Sequence, residues 1–126
     1  MPVFSKAYRL VSKHDFQSVF AESNKISRHF LLALHRSTSL PCPRLGMIIS
    51  KRYVKTAVSR NRLKRLIRES FRHHAHLLQG LDIIVLMRKK WTNDMQQKLQ
   101  GEIEALWQAL ITTKSLPARQ AASKEA

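Results

Sequence analysis

Acidic residues are scarce in this chain. Its 8 Asp and Glu stand against 23 Lys and Arg, which leaves a net charge of +15 and a pI near 11. That imbalance favours a polyanionic partner, nucleic acid first, over a small metabolite. The few acids are also scattered along the sequence, a poor basis for a two-metal nuclease site. Cysteine is reduced to Cys42, which excludes an internal disulfide and leaves a thiolate metal site without its usual partners. With three glycines in the whole chain there is no phosphate loop or Gly-rich dinucleotide turn, and no nucleophile elbow either. Long hydrophobic runs are missing too: HFLLAL, GMII and LDIIVLM are far too short to span a bilayer. The opening MPVFSKAYRLVSK has no continuous apolar stretch behind a basic start and no small-residue cleavage site, so a cytoplasmic location is expected.

What is present is enough apolar material for one core. At 126 residues and 44% hydrophobic, the chain fits a single folded domain that carries its charge on a rigid scaffold. Ser12 can cap a short helix over about residues 13–21, with Phe16, Val19 and Phe20 on one face. The segment 28–36 has the length of a strand, and Ser37 to Pro43 reads as a turn into a second strand at 45–50, the two expected to pair as an antiparallel hairpin. A long helical pattern follows over about 57–78, closed by Gly80, and LDIIVLM then reads as a buried strand. Asn93 can cap a last helix from Asp94 to about Ile111, whose inner face holds Leu99, Ile103, Leu106, Trp107 and Leu110. This order describes an α+β fold, with helices packed on a small sheet.

The informative segment is Lys51 to Arg72, KRYVKTAVSRNRLKRLIRESFR, with nine basic residues and one acid, Glu69. At about 100° per residue, Leu63, Leu66, Ile67, Ser70, Phe71, His74 and Leu78 gather on one side, while Lys64, Arg65, Arg68 and Arg72 lie mostly opposite. An ordinary solvated helix face mixes signs, because i,i+4 pairs contribute a few tenths of a kcal/mol each. This face does not mix, and its mutual repulsion is relieved if phosphates bind there. Glu69 is four residues from Arg65 and three from Arg72, so its expected role is an intrahelical ion pair, and one carboxylate cannot form an acid and base pair. Arginine grips phosphate bidentately and stacks on unpaired bases, contacts that favour folded RNA somewhat over DNA.

This segment resembles the signature of the ribonuclease P protein family, an Arg-Asn-Arg core followed by Lys-Arg: here Arg60, Asn61, Arg62, Lys64 and Arg65. Lys51, Arg52, the Ala57-Val58 pair, Arg68 and Glu69 also match the pattern, as do RLVSKHDFQSVF and the stretch from Gly46 to Lys51. The resemblance covers roughly residues 8–112, so the domain is set at residues 1–112 and 113–126 are expected to be a flexible tail. It implies an αβββαβα arrangement, with a small mixed sheet and a left-handed β-α-β crossover through the basic helix. It also implies that the catalysis, Mg²⁺-dependent removal of the 5′ leader from precursor tRNA, is performed by an RNA subunit that binds most of the Mg²⁺. The protein is then an accessory subunit without catalytic residues, metal ligands or a small-molecule substrate. On this resemblance the RNA subunit is bound by Lys51, Arg52, Arg60, Asn61, Arg62, Lys64, Arg65, Arg68 and Arg72.

The resemblance implies a second surface, a cleft between the first helix and the sheet that takes the single-stranded leader. Pattern alone would put Phe16, Phe20 and Phe30 in the core, since aromatics at helical spacing usually pack there. In the cleft reading Phe16 and Phe20 are partly exposed for stacking, with Lys13, Arg28 and Arg36, and also Arg9, near the leader phosphates. The cluster Arg88-Lys89-Lys90 with Trp91 is either a further phosphate contact or an ordinary strand-to-helix turn. His73, His74 and His76 invite a metal, but His73 and His74 point to different helix faces and no Cys or carboxylate set is expected to complete a shell, so a helix surface is the expectation. A ribosomal or other structural RNA-binding protein shares the charge and size, and only the Arg60 to Glu69 motif between two strands separates the two readings.

Overall fold

The computed structural model describes residues 13–38 and 40–115, together with Arg9. Helix α1 (Lys13–Glu22) is followed by strands β1 (Asn24–Ser27), β2 (Leu31–Ser37) and β3 (Arg44–Ile48), helix α2 (Ala57–His74), strand β4 (Leu81–Met87) and helix α3 (Gln96–Ser115). The strands form one sheet in the order β1-β2-β4-β3. β4 runs antiparallel to β2 and parallel to β3, so β2 and β3 do not form the expected hairpin but are separated by β4, and α2 is the crossover between two neighbouring parallel strands. The αβββαβα order expected from the resemblance is present.

The two inner strands explain the layers. LDIIVLM is apolar nearly throughout because both its faces are covered. Leu81, Ile83, Val85 and Met87, with Leu31, Ala33 and Leu45, pack with Leu63, Ile67 and Phe71 of α2 and Leu99, Ile103, Leu106, Trp107 and Leu110 of α3. The alternate residues Leu34 and Ile84 meet Val19 of α1 in a smaller cluster. Phe71 and Trp107 join α2 to α3 edge to face, with ring centroids 5.7 Å apart. The Trp107 indole N–H donates to Ser70 Oγ at 2.7 Å, and Ser70 Oγ donates to Glu104 at 2.9 Å.

Several boundaries differ from the sequence reading for identifiable reasons. β1, implied by the resemblance, was not placed by the residue pattern: only Ile26 of its four residues is even half-buried, so an edge strand of this length carries no alternation to detect. α2 begins at Ala57 as expected, because Thr56 caps it, its Oγ1 accepting from Ser59 N at 3.1 Å. Regular helix stops at His74 and tightens into a 3₁₀ turn over Ala75–Leu77, before Gly80 takes φ +84°, a left-handed conformation that suits glycine. Another 3₁₀ turn, Asn93–Met95, leads into α3, which continues to Ser115. The proposed cap Ser12 lies outside the described residues.

Candidate nucleic-acid interface

The basic helix buries Leu63, Ile67 and Phe71 against the sheet and α3. Leu66, Ser70 and His74, expected on the same side, are half-buried along its border. Lys51, Arg52, Lys55, Asn61, Arg62 and Arg65 are exposed, whereas Lys64, Arg68 and Arg72 are half-buried. Glu69 pairs with Arg72 at 2.7 Å, the expected i,i+3 ion pair. Arg60 is turned back on the protein: its Nη1 donates to the carbonyls of Val54 and Lys55, both at 3.0 Å, and so secures the loop that enters the helix. Arg62, Lys64, Arg65 and Arg68 have no protein counter-charge among the described residues. A row of unneutralised cations along one helix is an electrostatic footprint for phosphate.

On the opposite face of the sheet, α1 covers only part of the apolar surface. Phe16, Leu32, Ile48 and Leu86 are half-buried around Val19, Leu34 and Ile84, and Phe20, one helical turn from Phe16, is 46% exposed. Phe30 is in the other layer, buried in the main core. The three phenylalanines therefore separate into two on the partly covered face and one in the core, a division that their spacing does not encode. Arg28 is exposed in the connection between β1 and β2, and Arg9 bridges to Leu45 on β3. The side chain of Lys13 lies outside the described residues.

One end of this cleft holds a charge network that the sequence reading missed. Asp82 is fully buried, and the register sets it beside Arg36 on β2 and Arg44 on β3. Arg44 grips it bidentately, Nε to Oδ1 at 2.9 Å and Nη2 to Oδ2 at 2.7 Å, while Arg36 approaches at 3.3 Å. The remaining Arg44 nitrogen, Nη1, donates to Asp15 on α1 at 3.2 Å, so one guanidinium ties the helix to the sheet. The hydrogen bond to Asp82 raises the Arg44 pKa further above its ordinary value. Arg36, singled out for the leader, is thus already engaged with a buried carboxylate. In sequence these charges are far apart, and only strand pairing brings them together.

The Arg88-Lys89-Lys90 cluster joins two loops. Arg88 N donates to Phe30 O at 2.8 Å, Arg88 Nη1 to Arg28 O at 3.2 Å, and Trp91 N to Tyr53 O at 3.0 Å. Lys89 Nζ approaches His29 Nδ1 at 3.3 Å. Exposed basic residues of this turn therefore stand between those around Arg28 and those around Arg52.

The described carboxylates are largely committed to the protein. Asp15 and Asp82 face arginines, Glu69 faces Arg72, and Glu102 accepts from the Phe30 N–H with both oxygens, at 2.9 and 3.1 Å. No three metal-ligating side chains converge among the described residues. His74 is directed by Ser70 O at 2.9 Å and stands 3.6 Å from Glu104, with no third ligand beside the pair. These residues do not fit a Mg²⁺ site. Among the described residues no helix is long and apolar enough to cross a membrane.

The sequence profile of the Ribonuclease P family matches residues 4–111. The ribonuclease P protein component of Pseudomonas putida is 41% identical over 116 residues, covering 91% of this chain and 87% of that protein. The component of Pseudomonas aeruginosa is 41% identical over 112 residues, 88% of this chain and 83% of its own length. Among solved structures, the RNase P protein of Staphylococcus aureus is similar with a TM-score of 0.73 at 29% identity, covering 82% of this chain and 95% of that one. The protein from Thermotoga maritima follows with a TM-score of 0.66 at 26% identity, covering 82% and 96%. A profile match over most of the chain, relatives at this identity and the shared fold together establish that the chain belongs to the ribonuclease P protein family, the accessory protein component of a ribonucleoprotein enzyme.

Proposed function

We propose that this protein binds the catalytic RNA of ribonuclease P through the exposed side of α2 and the 5′ leader of precursor tRNA through the cleft between α1 and the sheet. The observation that carries the reading is the row of cations along α2 without counter-charges among the described residues, Arg62, Lys64, Arg65 and Arg68, flanked by exposed Lys51, Arg52 and Asn61. Phosphates relieve the repulsion within that row, and counterion release adds to the affinity. Arg72 and Arg60 serve this face less directly, one paired with Glu69 and the other holding the loop before the helix. The cleft suits a single strand for a different reason. Its half-open apolar floor and the exposed ring of Phe20 offer stacking surface to unpaired bases, which a duplex does not present.

The reaction in this reading is endonucleolytic hydrolysis at the start of the mature tRNA. The RNA subunit supplies the Mg²⁺ and the chemistry; among the described carboxylates Asp15, Asp82 and Glu69 face arginines, Glu102 accepts from a backbone amide, and no three described metal-ligating side chains converge. The protein contributes binding energy and orientation, and gripping the leader favours precursor over mature tRNA. Cleavage of a precursor tRNA by a bacterial ribonuclease P RNA at low Mg²⁺ tests this directly. The combination is expected to release the leader, and the protein alone is not; cleavage by protein alone, or no stimulation of the RNA, refutes it. Replacing Arg62 and Arg65 by Ala is expected to flatten the salt dependence of RNA-subunit binding by roughly one logarithmic unit of slope per lost phosphate contact.

A further inference from the structure

α2 and the segment that leads into α3 leave a hollow between them. Arg62, Arg65, Leu66 and Glu69 form one side and Trp91 and Gln96 the other, around about 220 Å³. Buried Leu63 also borders it. The walls divide chemically: Leu63, Leu66 and the indole are apolar, Arg62 and Arg65 are exposed cations, and Glu69 and Gln96 bring hydrogen-bonding groups. Trp91 also borders a second hollow of about 360 Å³, edged by Arg52, Lys55 and Lys90. The indole therefore stands between two cavities, each rimmed by cations. Trp91 is 6% exposed, and its Nε1–H is buried with no hydrogen-bond partner among the described residues. An indole N–H so placed is uncommon, because leaving a buried donor unpaired carries a desolvation cost.

We propose that the cavity between α2 and Trp91 seats one unpaired nucleobase of a bound RNA, packed against the indole, with its neighbouring phosphates on Arg62 and Arg65. The inference rests on the RNA-binding reading above and adds to it a seat for a base beside the phosphate contacts. A free phosphate would leave the apolar walls unused, and an apolar peptide side chain would leave both arginines uncompensated. A nucleotide satisfies both, since it carries a flat ring and an anion on one short unit. The hollow is sized for one ring system and not for a stacked helix. The Glu69 carboxylate accepts from an exocyclic amino group, which favours adenine, cytosine or guanine over uracil at this position.

The chain has two tryptophans, and the other, Trp107, is fully buried with its N–H bonded to Ser70. Fluorine NMR of the full chain labelled with 5-fluorotryptophan therefore carries an internal control. The probes are an oligoadenylate of about ten nucleotides, within the usual span of single-strand sites, and an abasic ribose-phosphate strand of equal length and charge. Both strands are expected to bind, but only oligoadenylate should move the Trp91 resonance, with that of Trp107 unmoved. Trp91→Leu, confirmed as folded by far-UV circular dichroism, should reduce the preference for oligoadenylate over the abasic strand by about tenfold, the scale of one base-aromatic stack. If both strands bind and Trp91 responds to neither or equally to both, the base seat is wrong while RNA binding stands. Failure of both strands to bind overturns the RNA-binding reading itself.

Discussion

Asp82→Asn is the sharpest test of what holds the cleft together. Asp82 is fully buried and accepts from Arg44 at 2.9 and 2.7 Å and from Arg36 at 3.3 Å. Asparagine keeps the shape but removes the charge and turns one acceptor into a donor that faces a guanidinium. Breaking a buried ion pair costs about 3–5 kcal/mol, because the partner charge is left desolvated. The Arg44 and Arg36 side chains keep 18% and 21% of their accessibility, so water recovers part of that, and a loss of about 3 kcal/mol is expected. For a domain of this size that corresponds to a fall in Tm of roughly 10–20 °C, out of a total stability of about 5–15 kcal/mol. Urea unfolding followed by circular dichroism and by tryptophan fluorescence measures it, with coincident transitions as the condition for reading a free energy. Asp82→Leu combined with Arg44→Met should recover part of the loss, since apolar replacement of this pair removes the less accessible of the two guanidinium charges and leaves Arg36, 21% accessible, to be solvated. A change under about 1 kcal/mol in Asp82→Asn would refute the assignment of this network as the anchor between α1 and the sheet.

Three further outcomes follow from the same geometry. Thr56→Ala removes the side-chain cap on Ser59 N and should cost about 1 kcal/mol in the same unfolding assay. His35 is buried with Nε2 unpartnered among the described residues, and burial pushes its pKa below the ordinary 6.5. The unfolded chain then takes up a proton that the folded chain refuses, so stability should fall as pH drops from about 6.5 toward the lower folded value. His35→Leu should flatten that decline, as urea midpoints measured from neutral pH down to about pH 5 will show. Phe20→Ala, at a position 46% exposed, should change stability by only about 0.5 kcal/mol. It should nevertheless weaken binding of precursor relative to mature tRNA by about 1–3 kcal/mol in a filter-binding titration, the range for losing one stacking ring.

Much of this molecule could be read along the chain because the relevant physics is local. The apolar stripe of α3 from Leu99 to Leu110, the continuous run of β4 and the one-signed charge of α2 are written in residues a few positions apart. So is the Arg60 to Arg65 motif through which the family was recognised. β1 was not legible, because an exposed edge strand holds its place through pairing with β2 and not through its own pattern. Sequence also made Arg60 one of several equivalent cations, whereas the structure spends it on the carbonyls of the preceding loop.

Composition and local periodicity by themselves pointed to a folded core and a polyanionic partner, and determined which helix presents the charge. Only the tertiary structure decided that Phe16 and Phe20 stay partly uncovered on one face of the sheet while Phe30 enters the core. It alone set Asp82 between two arginines from other strands, and Trp91 beside Arg62 and Arg65. The reason is that exposure and ion pairing depend on strand register and on which elements cover a face, and these are settled by contacts between residues distant in sequence.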